Sequence, residues 1–294
     1  MIGVLEQGFI FCIMALGVYI TFKILNFPDM SVDGTFPLGA SVTAILLLKG
    51  INPWLACIIS IIAGMIGGLI TGVLHVKFKI PNLLSGILIM LALYSVNLRI
   101  MGKANTPFFN ERTIFSSNMP PLLVVVVLGF FVKLLLDIIF KTKFGFILKA
   151  TGDNPNMVTS LGIDIGLIKI LGIMMANGLV ALSGSVMAQY QRFSDVGMGT
   201  GVLIMGLASI IMGESILRAL PIKFGTSCAI LGSLLYKGSI AAALKAGLPA
   251  TDLRLITSVI VITALTIYNG GINIRFKKRL HLGGVKAVTN SKSA

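Results

Sequence analysis

Four polar side chains stand close together in one short segment between two apolar runs: Asp29, Ser31, Asp33 and Thr35. Two carboxylates and two hydroxyls can hydrogen-bond a polar solute or bind a cation. Proline and glycine residues within the segment disfavour one continuous helix. Because non-helical backbone at membrane depth is tolerated only beside protein or a wet cavity, the segment predicts the lining of a polar path. A turn in which Ser31 or Asp33 caps the next helix fits the same residues equally well.

Other polar groups are isolated within long apolar runs. Asn97 lies near the end of one run, and Asn177 lies in another together with Ser183, Ser185 and Gln189. Such groups either line a solute path or hydrogen-bond to neighbouring helices, and the second role is the commoner one. Asn97 and Asn177 are therefore the further candidate pathway residues.

One charged pair lies near the inner end of a predicted membrane crossing. Lys133 and Asp137 have the i,i+4 spacing that places two side chains on one face of a helix. A lone charge at the centre of a membrane costs about 2.5–3.5 kcal/mol, and pairing relieves that cost. A proton or ion relay would need more carboxylates than this pair supplies, so the spacing favours structural pairing.

A second candidate site is a loop near the middle of the chain. Asn154 followed by Pro155 predicts a helix start, and Gly162 predicts the end of that helix. The apolar residues between them are Met157, Val158 and Leu161. A short amphipathic helix with exposed Met157 and Leu161 needs a cover, either lipid headgroups or a partner protein. The nearby basic residues precede the helix and do not lie on it, which favours a partner protein over lipid headgroups as the cover.

Enzyme motifs are missing from the sequence. It has no Gly-x4-Gly-Lys-Ser/Thr phosphate loop, no His-Glu-x-x-His and no Gly-x-Ser-x-Gly. The three cysteines all lie in apolar runs, and two histidines make a histidine-based metal site improbable. We expect no catalysis, no metal and no cofactor.

The composition excludes a soluble fold. Of the 294 residues, 56% are apolar and only 12% are charged, with a mean hydropathy of +0.97, whereas soluble domains are roughly 25% charged. The net charge of +14 is carried by residues at the ends of apolar runs. Basic membrane loops explain that placement, and nucleic-acid binding is not expected.

The apolar runs predict an all-α polytopic membrane protein of about nine transmembrane helices, since a spanning helix needs about 20 residues. The runs are Gln7–Phe22, Gly34–Leu48, Gly50–Val76, Ile80–Leu98, Thr113–Val132, Ile170–Gln191, Val196–Gly213, Ala219–Tyr236 and Leu255–Ile274. Residues 1–274 form one predicted transmembrane domain with a loop at 141–166, and a basic tail follows at 275–294.

Basic loops predict the orientation. Lys141, Lys143 and Lys149 cluster in the central loop, and four more basic residues begin the tail. Both segments are expected in the cytoplasm, which places the N-terminus outside. Several other basic residues, Lys237 among them, fall in predicted outer loops.

Two glycine pairs suggest internal symmetry. Gly34 and Gly39 in the first half match Gly201 and Gly206 in the second, and the helices that carry them run in opposite directions in the predicted topology. Inverted repeats of this kind are common in transporters. Coincidence explains the match equally well, because the chain contains 33 glycines.

Longer stretches resemble a known family. The central loop, Lys149-Ala-Thr-Gly-Asp-Asn-Pro with Leu161-Gly162-Ile after it, is similar to that of ABC importer permeases of the branched-chain amino acid and ribose permease family. The block from Pro28 to Ala40 resembles the family's first characteristic block. Together with Gly247–Thr257, that block resembles a subgroup tied to aromatic amino acid (tryptophan or tyrosine) uptake.

The resemblance implies partners and a mechanism. The chain would be one of two membrane subunits, most simply a homodimer, in the inner membrane of a bacterial cell. The residues around the central helix, Gly152 included, would couple to a separate ATPase. A binding protein outside the membrane would deliver the solute.

Two other functions remain open from the residues alone. An ion-gradient-driven transporter of a small polar solute fits broken helices and inverted repeats equally well, and would bind its ion at Asp29, Asp33 or Asp137. A membrane-embedded enzyme is a remote alternative, because the sequence contains no cluster of catalytic residues.

Overall fold

The computed structural model describes residues 2–116, 119–217, 225–247 and 253–268. They are mostly helical. The helices are α1 (Ile2–Val18), α2 (Val32–Leu48), α3 (Pro53–Val76), α4 (Asn82–Met101), α5 (Pro121–Lys141), α6 (Lys143–Asp153), α7 (Pro155–Ser160), α8 (Ile165–Gln191), α9 (Val202–Leu217), α10 (Gly225–Lys245) and α11 (Leu253–Tyr268). A π-helical turn, Tyr19–Ile24, extends α1, and short strands β1 (Asn105–Pro107) and β2 (Phe193–Asp195) pair antiparallel.

Seven helices of the described residues are long and apolar enough to cross a membrane. They are α1 with its π-helical extension, α3, α4, α5, α8, α9 with the turn before it, and α10. Helix α2 has 17 residues and α11 has 16, fewer than the usual spanning length of about 20. An all-α multi-pass membrane protein is therefore confirmed, whereas nine crossings and the orientation of the termini stay predictions. The predicted tail at 275–294 lies outside the described residues.

Local signals explain where the helices begin and end. The Asn52 side chain accepts a hydrogen bond from the backbone N–H of Trp54 at 2.9 Å, and Pro53 occupies the first position of α3. At the end of α4, Gly102 adopts a φ of 69°, a left-handed conformation that terminates helices.

Helix α10 is longer than the sequence predicts. The predicted run ends at Tyr236, but the helix continues to Lys245, which places Lys237 within a candidate span and not in a loop. The Lys237 ammonium lies 3.8 Å from the centre of the Phe11 ring. A cation over an aromatic face is stabilised by the ring quadrupole, so a single lysine does not end the helix.

The core forms around α1, α2 and α8, whose side chains are largely buried. Helix α3 packs along α8 through three glycines at one-turn spacing. A side chain at Gly64 would come within 2.5 Å of the Asn177 carbonyl, and one at Gly68 within 2.6 Å of the Ile173 carbonyl. Gly72 adjoins Ile170 in the same way. Small residues thus let these backbones approach closely within the chain.

The two halves of the chain make matching contacts. Helix α2 packs against α3, α4 and α8, and helix α9 packs against α10, α11 and α1. Gly39 of α2 contacts the backbone of Ala181 in α8, while Gly206 of α9 contacts Val18 in α1. The two glycines that the sequence pairs therefore occupy corresponding contacts in the two halves.

Candidate functional site

A buried hydrogen-bonded cluster joins the turn before α2 to the middle of α8. The Asn177 amide donates to the Asp29 carboxylate at 2.8 Å. The Asn177 carbonyl oxygen accepts from the Thr35 hydroxyl at 2.8 Å and from the Ser31 hydroxyl at 3.2 Å. The Asp29 carboxylate also accepts from the backbone N–H of Ser31 at 2.9 Å. The structure thus brings four of the predicted pathway residues together.

These four side chains, Asp29, Ser31, Thr35 and Asn177, have no solvent exposure. The segment that carries Asp29 packs closely against α4. Gly86 of α4 lies against Asp29, and a side chain at Gly86 would come within 2.6 Å of the Met30 nitrogen. A buried carboxylate requires hydrogen-bond donors, and Asn177 and the Ser31 backbone supply them. In this conformation the cluster fixes the start of α2 against α8.

The Asp33 side chain is not part of this cluster and instead caps helix α9. Its two carboxylate oxygens accept from the backbone N–H groups of Gly201 at 2.9 Å and Leu203 at 2.7 Å. The first N–H groups of a helix lack partners within it, and a negative charge there also meets the positive end of the helix dipole. The predicted cap of α2 is therefore wrong, because neither Ser31 nor Asp33 caps that helix; Asp33 caps α9 instead.

A cavity of about 320 Å³ opens beside Asp33, between α2, α4 and the turn that leads into α9. Two predicted residues line it, Asp33 and Asn97. The Asn97 amide donates to the Gly34 carbonyl at 3.2 Å. Tyr94 and Thr200 also line the cavity and were missed from the sequence. No short motif marks them, because their position depends on how α4 and the turn before α9 meet α2.

Helix α8 carries a second polar cluster towards its C-terminal end. The Thr43 hydroxyl lies 2.6 Å from that of Ser185 and 2.8 Å from that of Ser60. Gln189 donates to the Cys57 sulfur at 3.2 Å. The interhelical interpretation of Ser185 and Gln189 is therefore correct. Thr43 and Ser60 were missed, because single hydroxyls in apolar runs carry no pattern of their own.

The central loop contains the predicted short helix. The Asn154 side chain accepts from the backbone N–H of Met157 at 3.2 Å, and Pro155 starts α7. Gly162 has a φ of +76°, as a helix end requires. Met157 and Leu161 are 52% and 66% exposed.

Two residues of the loop attach it to the rest of the protein. Val158 is 1% exposed, so the middle of α7 is anchored while Met157 and Leu161 project. Gly152 lies against the Ile24 carbonyl, where a side chain would not fit. The loop therefore presents a small apolar surface on a fixed base.

The predicted intrahelical pair is also formed. The Lys133 ammonium lies 2.6 Å from the Asp137 carboxylate, and the Thr226 hydroxyl donates to the other Asp137 oxygen. The charges of Lys133 and Asp137 thus compensate each other within α5. Within the described residues, no group of three or more His, Cys, Asp and Glu side chains is arranged to hold a metal ion.

Comparison with known proteins identifies the family. A family model described as "Branched-chain amino acid transport system / permease component" matches residues 1–267. The chain belongs to this permease family. The resemblance seen in the central loop and in the early block is confirmed.

The permease is also similar to individual proteins. It is 50% identical over 277 residues to the tyrosine transport system permease protein of Clostridioides difficile, covering 94% of this chain and 93% of that one. Two solved structures share its fold at 16% identity. One is PsaBC from Streptococcus pneumoniae in complex with Fab, with a TM-score of 0.54 and coverage of 94% and 92%. The other is a metal-chelate type ABC transporter in an inward-facing conformation, with a TM-score of 0.50 and coverage of 92% and 85%.

The family defines the general role of the permease. It is a membrane subunit of the ABC importer class and a multi-pass inner-membrane protein. ATP hydrolysis belongs to a separate subunit of such a system, and a solute-binding protein is expected beside it.

Proposed function

We propose that this permease imports an aromatic amino acid, with tyrosine as the first candidate. The observation that carries the proposal is the 50% identity, across nearly the full length of both chains, to a tyrosine transport permease. The residues of the early block from Pro28 to Ala40, which resemble the aromatic amino acid subgroup, form the buried Asp29 cluster and the Asp33 cap.

The cavity beside Asp33 is the proposed part of the solute pathway. Its volume of about 320 Å³ is at the lower end of the range for small-molecule sites, about 300–1,000 Å³. Asp33 supplies a carboxylate for an ammonium group, and Thr200 and Asn97 supply further polar atoms. Tyr94 and Met90 supply apolar contact for an aromatic ring. The buried Asp29 cluster would hold the wall of this pathway in place.

The proposed topology is an inverted repeat in which α1–α4 correspond to α8–α11 and α5 joins them. The matching contacts of α2 and α9 support it, as does the meeting of their first turns at Asp33. In this arrangement the nine predicted helices cross the membrane, α2 and α11 through shorter segments. The N-terminus is outside and the C-terminus is cytoplasmic.

Helix α7 is the proposed docking element for the ATPase. Met157 and Leu161 supply the apolar contact, and Val158 anchors the helix. Binding of ATP elsewhere would then shift the permease between two states through a difference in partner contacts. The solute-binding protein would dock on the opposite face, and two copies of the permease would enclose the pathway.

Transport in proteoliposomes tests this function. We would reconstitute the permease with its ATPase, add the binding protein outside, and measure uptake of labelled tyrosine, tryptophan and leucine. We expect uptake that requires ATP and prefers tyrosine or tryptophan when ionophores have collapsed the ion gradients. Uptake by the permease alone, driven by an ion gradient, would instead identify a secondary transporter. ATP-dependent uptake of leucine only would contradict the aromatic specificity.

A further inference from the structure

A second cavity lies where α5, α6 and α10 meet. Its volume is about 250 Å³. It is lined by Tyr19, Asp137, Phe140, Lys141, Lys149 and Thr226. It lies at the end of α5 that leads into α6, and thus at the edge of a candidate membrane span. It is separate from the cavity beside Asp33.

The charge around this cavity is positive. The Asp137 carboxylate is already occupied, by Lys133 at 2.6 Å and by the Thr226 hydroxyl. Lys141 and Lys149 are exposed, and neither takes part in an ion pair within the described residues. The Lys149 ammonium lies 5.2 Å from the centre of the Phe140 ring. In the part of the chain that the structure describes, two cations without an ion-pair partner therefore adjoin one concave site.

An apolar stripe leads along α5 to these lysines. Phe131, Leu134 and Ile138 are 60%, 59% and 56% exposed. Their spacing of three and four residues places them on one face of the helix, and Lys141 continues that face by a further three. Since α5 is a candidate membrane span, an exposed apolar stripe on it is suited to contact the hydrocarbon of a bilayer.

Helix α6 continues this pattern beyond the end of α5. Thr142 caps α6 by accepting from the backbone N–H of Gly145 at 3.3 Å. Phe146 is 71% exposed and lies three residues before Lys149. An exposed aromatic ring beside lysines is typical of a helix at the membrane interface, where apolar stems and rings contact acyl chains and charged ends reach the headgroups.

We propose that this cavity and the stripe bind one anionic phospholipid. Its phosphate lies between Lys141 and Lys149, and one acyl chain runs along Phe131, Leu134 and Ile138. Basic pockets between membrane helices are suited to anionic headgroups. The exposed stripe favours a lipid over a soluble phosphate as the ligand, because a soluble phosphate has no apolar part that could cover the stripe. The site is independent of which solute the permease carries.

Lipid binding to the purified permease tests this inference. Delipidated protein in detergent is mixed with phosphatidylglycerol, with phosphatidylcholine of the same acyl chains, or with glycerol 3-phosphate. Retained lipid is counted by native mass spectrometry, and thermal unfolding is followed in parallel. We expect phosphatidylglycerol alone to be retained and to raise Tm by several degrees.

Variants locate the site. The double variant Lys141→Gln with Lys149→Gln should weaken phosphatidylglycerol retention by about tenfold or more. A matched double variant at exposed lysines elsewhere, Lys49→Gln with Lys103→Gln, should retain it as the unmodified protein does. Leu134→Ser should weaken retention while leaving the lysines in place.

Three results would overturn the inference. Retention of phosphatidylcholine equal to that of phosphatidylglycerol would show that the lysines do not select a lipid by its charge. Full competition by glycerol 3-phosphate would show a site for a small soluble anion. Unchanged retention in a folded double variant, with Tm close to that of the unmodified protein, would place the lipid elsewhere. None of these measurements depends on transport, so they stand apart from the test of the solute.

Discussion

The Asp33 carboxylate at the start of α2 accepts a hydrogen bond from the backbone N–H of Leu203 at 2.7 Å, which ties together the first turns of two helices from opposite halves of the chain. A second bond, from the Gly201 N–H at 2.9 Å, completes the cap of α9. The same side chain lines the cavity proposed for the solute. Asp33 therefore stabilises the fold and, in the proposed pathway, would also contact the solute.

Asp33→Ala should destabilise the permease by about 0.5–2 kcal/mol, the usual cost of losing a helix cap. The reason is that two backbone N–H groups of α9 lose their acceptor. Asp33→Asn keeps one acceptor oxygen and should lose less stability than Asp33→Ala. If Asp33 also binds the ammonium group of the solute, Asp33→Asn should still reduce uptake severalfold. Thermal unfolding and uptake measure the two effects, and an unchanged Tm in Asp33→Ala would contradict the capping role.

Asn177→Leu should be more harmful than most substitutions in α8. The fully buried Asp29 carboxylate would lose the amide that donates to it at 2.8 Å, the Ser31 hydroxyl would lose its acceptor, and the Thr35 hydroxyl would keep only the Val32 carbonyl. An unsatisfied buried polar group costs about 1–3 kcal/mol, and more when it is charged. Chemical or thermal unfolding measures the loss.

A double-mutant cycle separates this contact from general packing. Asp29→Ala and Asn177→Ala together should cost less than the sum of the two single changes, because each removes the same hydrogen bond. Additive losses would mean that the two side chains do not act as a unit. Asn110→Ala, at an exposed position, is the control and should leave Tm unchanged.

Met157→Asp or Leu161→Asp should abolish association with the ATPase while the permease still inserts and folds. Both side chains are exposed, so the change costs little stability, but it places a charge in the proposed apolar contact. Asn156→Asp is the matched control on the same short helix, since it adds an equal charge at an exposed position. Co-purification with the ATPase is the measurement. Normal recovery of the ATPase with both variants would rule out α7 as the docking element.

Gly39→Leu and Gly206→Leu should both hinder transport, with the larger loss of stability at Gly39. A side chain at Gly39 would collide with the backbone of Ala181, which cannot turn aside. At Gly206 it would meet side-chain atoms and not backbone, those of Val18 at 2.8 Å and of Met14 at 3.0 Å. Gly238→Leu in α10 is the control, because no atom of the described residues lies within 4 Å of a Cβ added there. Wild-type uptake in both variants would contradict the proposed repeat.

Local patterns in the sequence predicted most of the helices and the central loop. Apolar runs located the spans, Asn154 and Gly162 located the ends of the short helix, and the spacing of Lys133 and Asp137 predicted their contact. Each of these inferences depends on residues near one another in the chain, where helical geometry alone determines which side chains meet.

The contacts between distant segments could not be predicted in the same way. The partners of Asp33 and Asn177 lie in the opposite half of the chain, and one sequence holds no record of which segments meet. Likewise, the charge of Lys237 predicts the end of a helix and a loop, whereas the residue lies within α10. The Phe11 ring that accommodates the charge belongs to α1, which the local sequence around Lys237 does not reveal.

The contact of Gly152 with the Ile24 carbonyl would offer a direct mechanical connection between α6 and the π-helical turn. Because α6 touches the main chain of the π-helical turn with no side chain between them, the two segments must shift together. Ile24 is followed within a few residues by the Asp29 cluster, so a load applied at α7 would reach the start of α2 by a short, stiff route. Because Asn177 ties that cluster to the middle of α8, the same load would also be shared with α8.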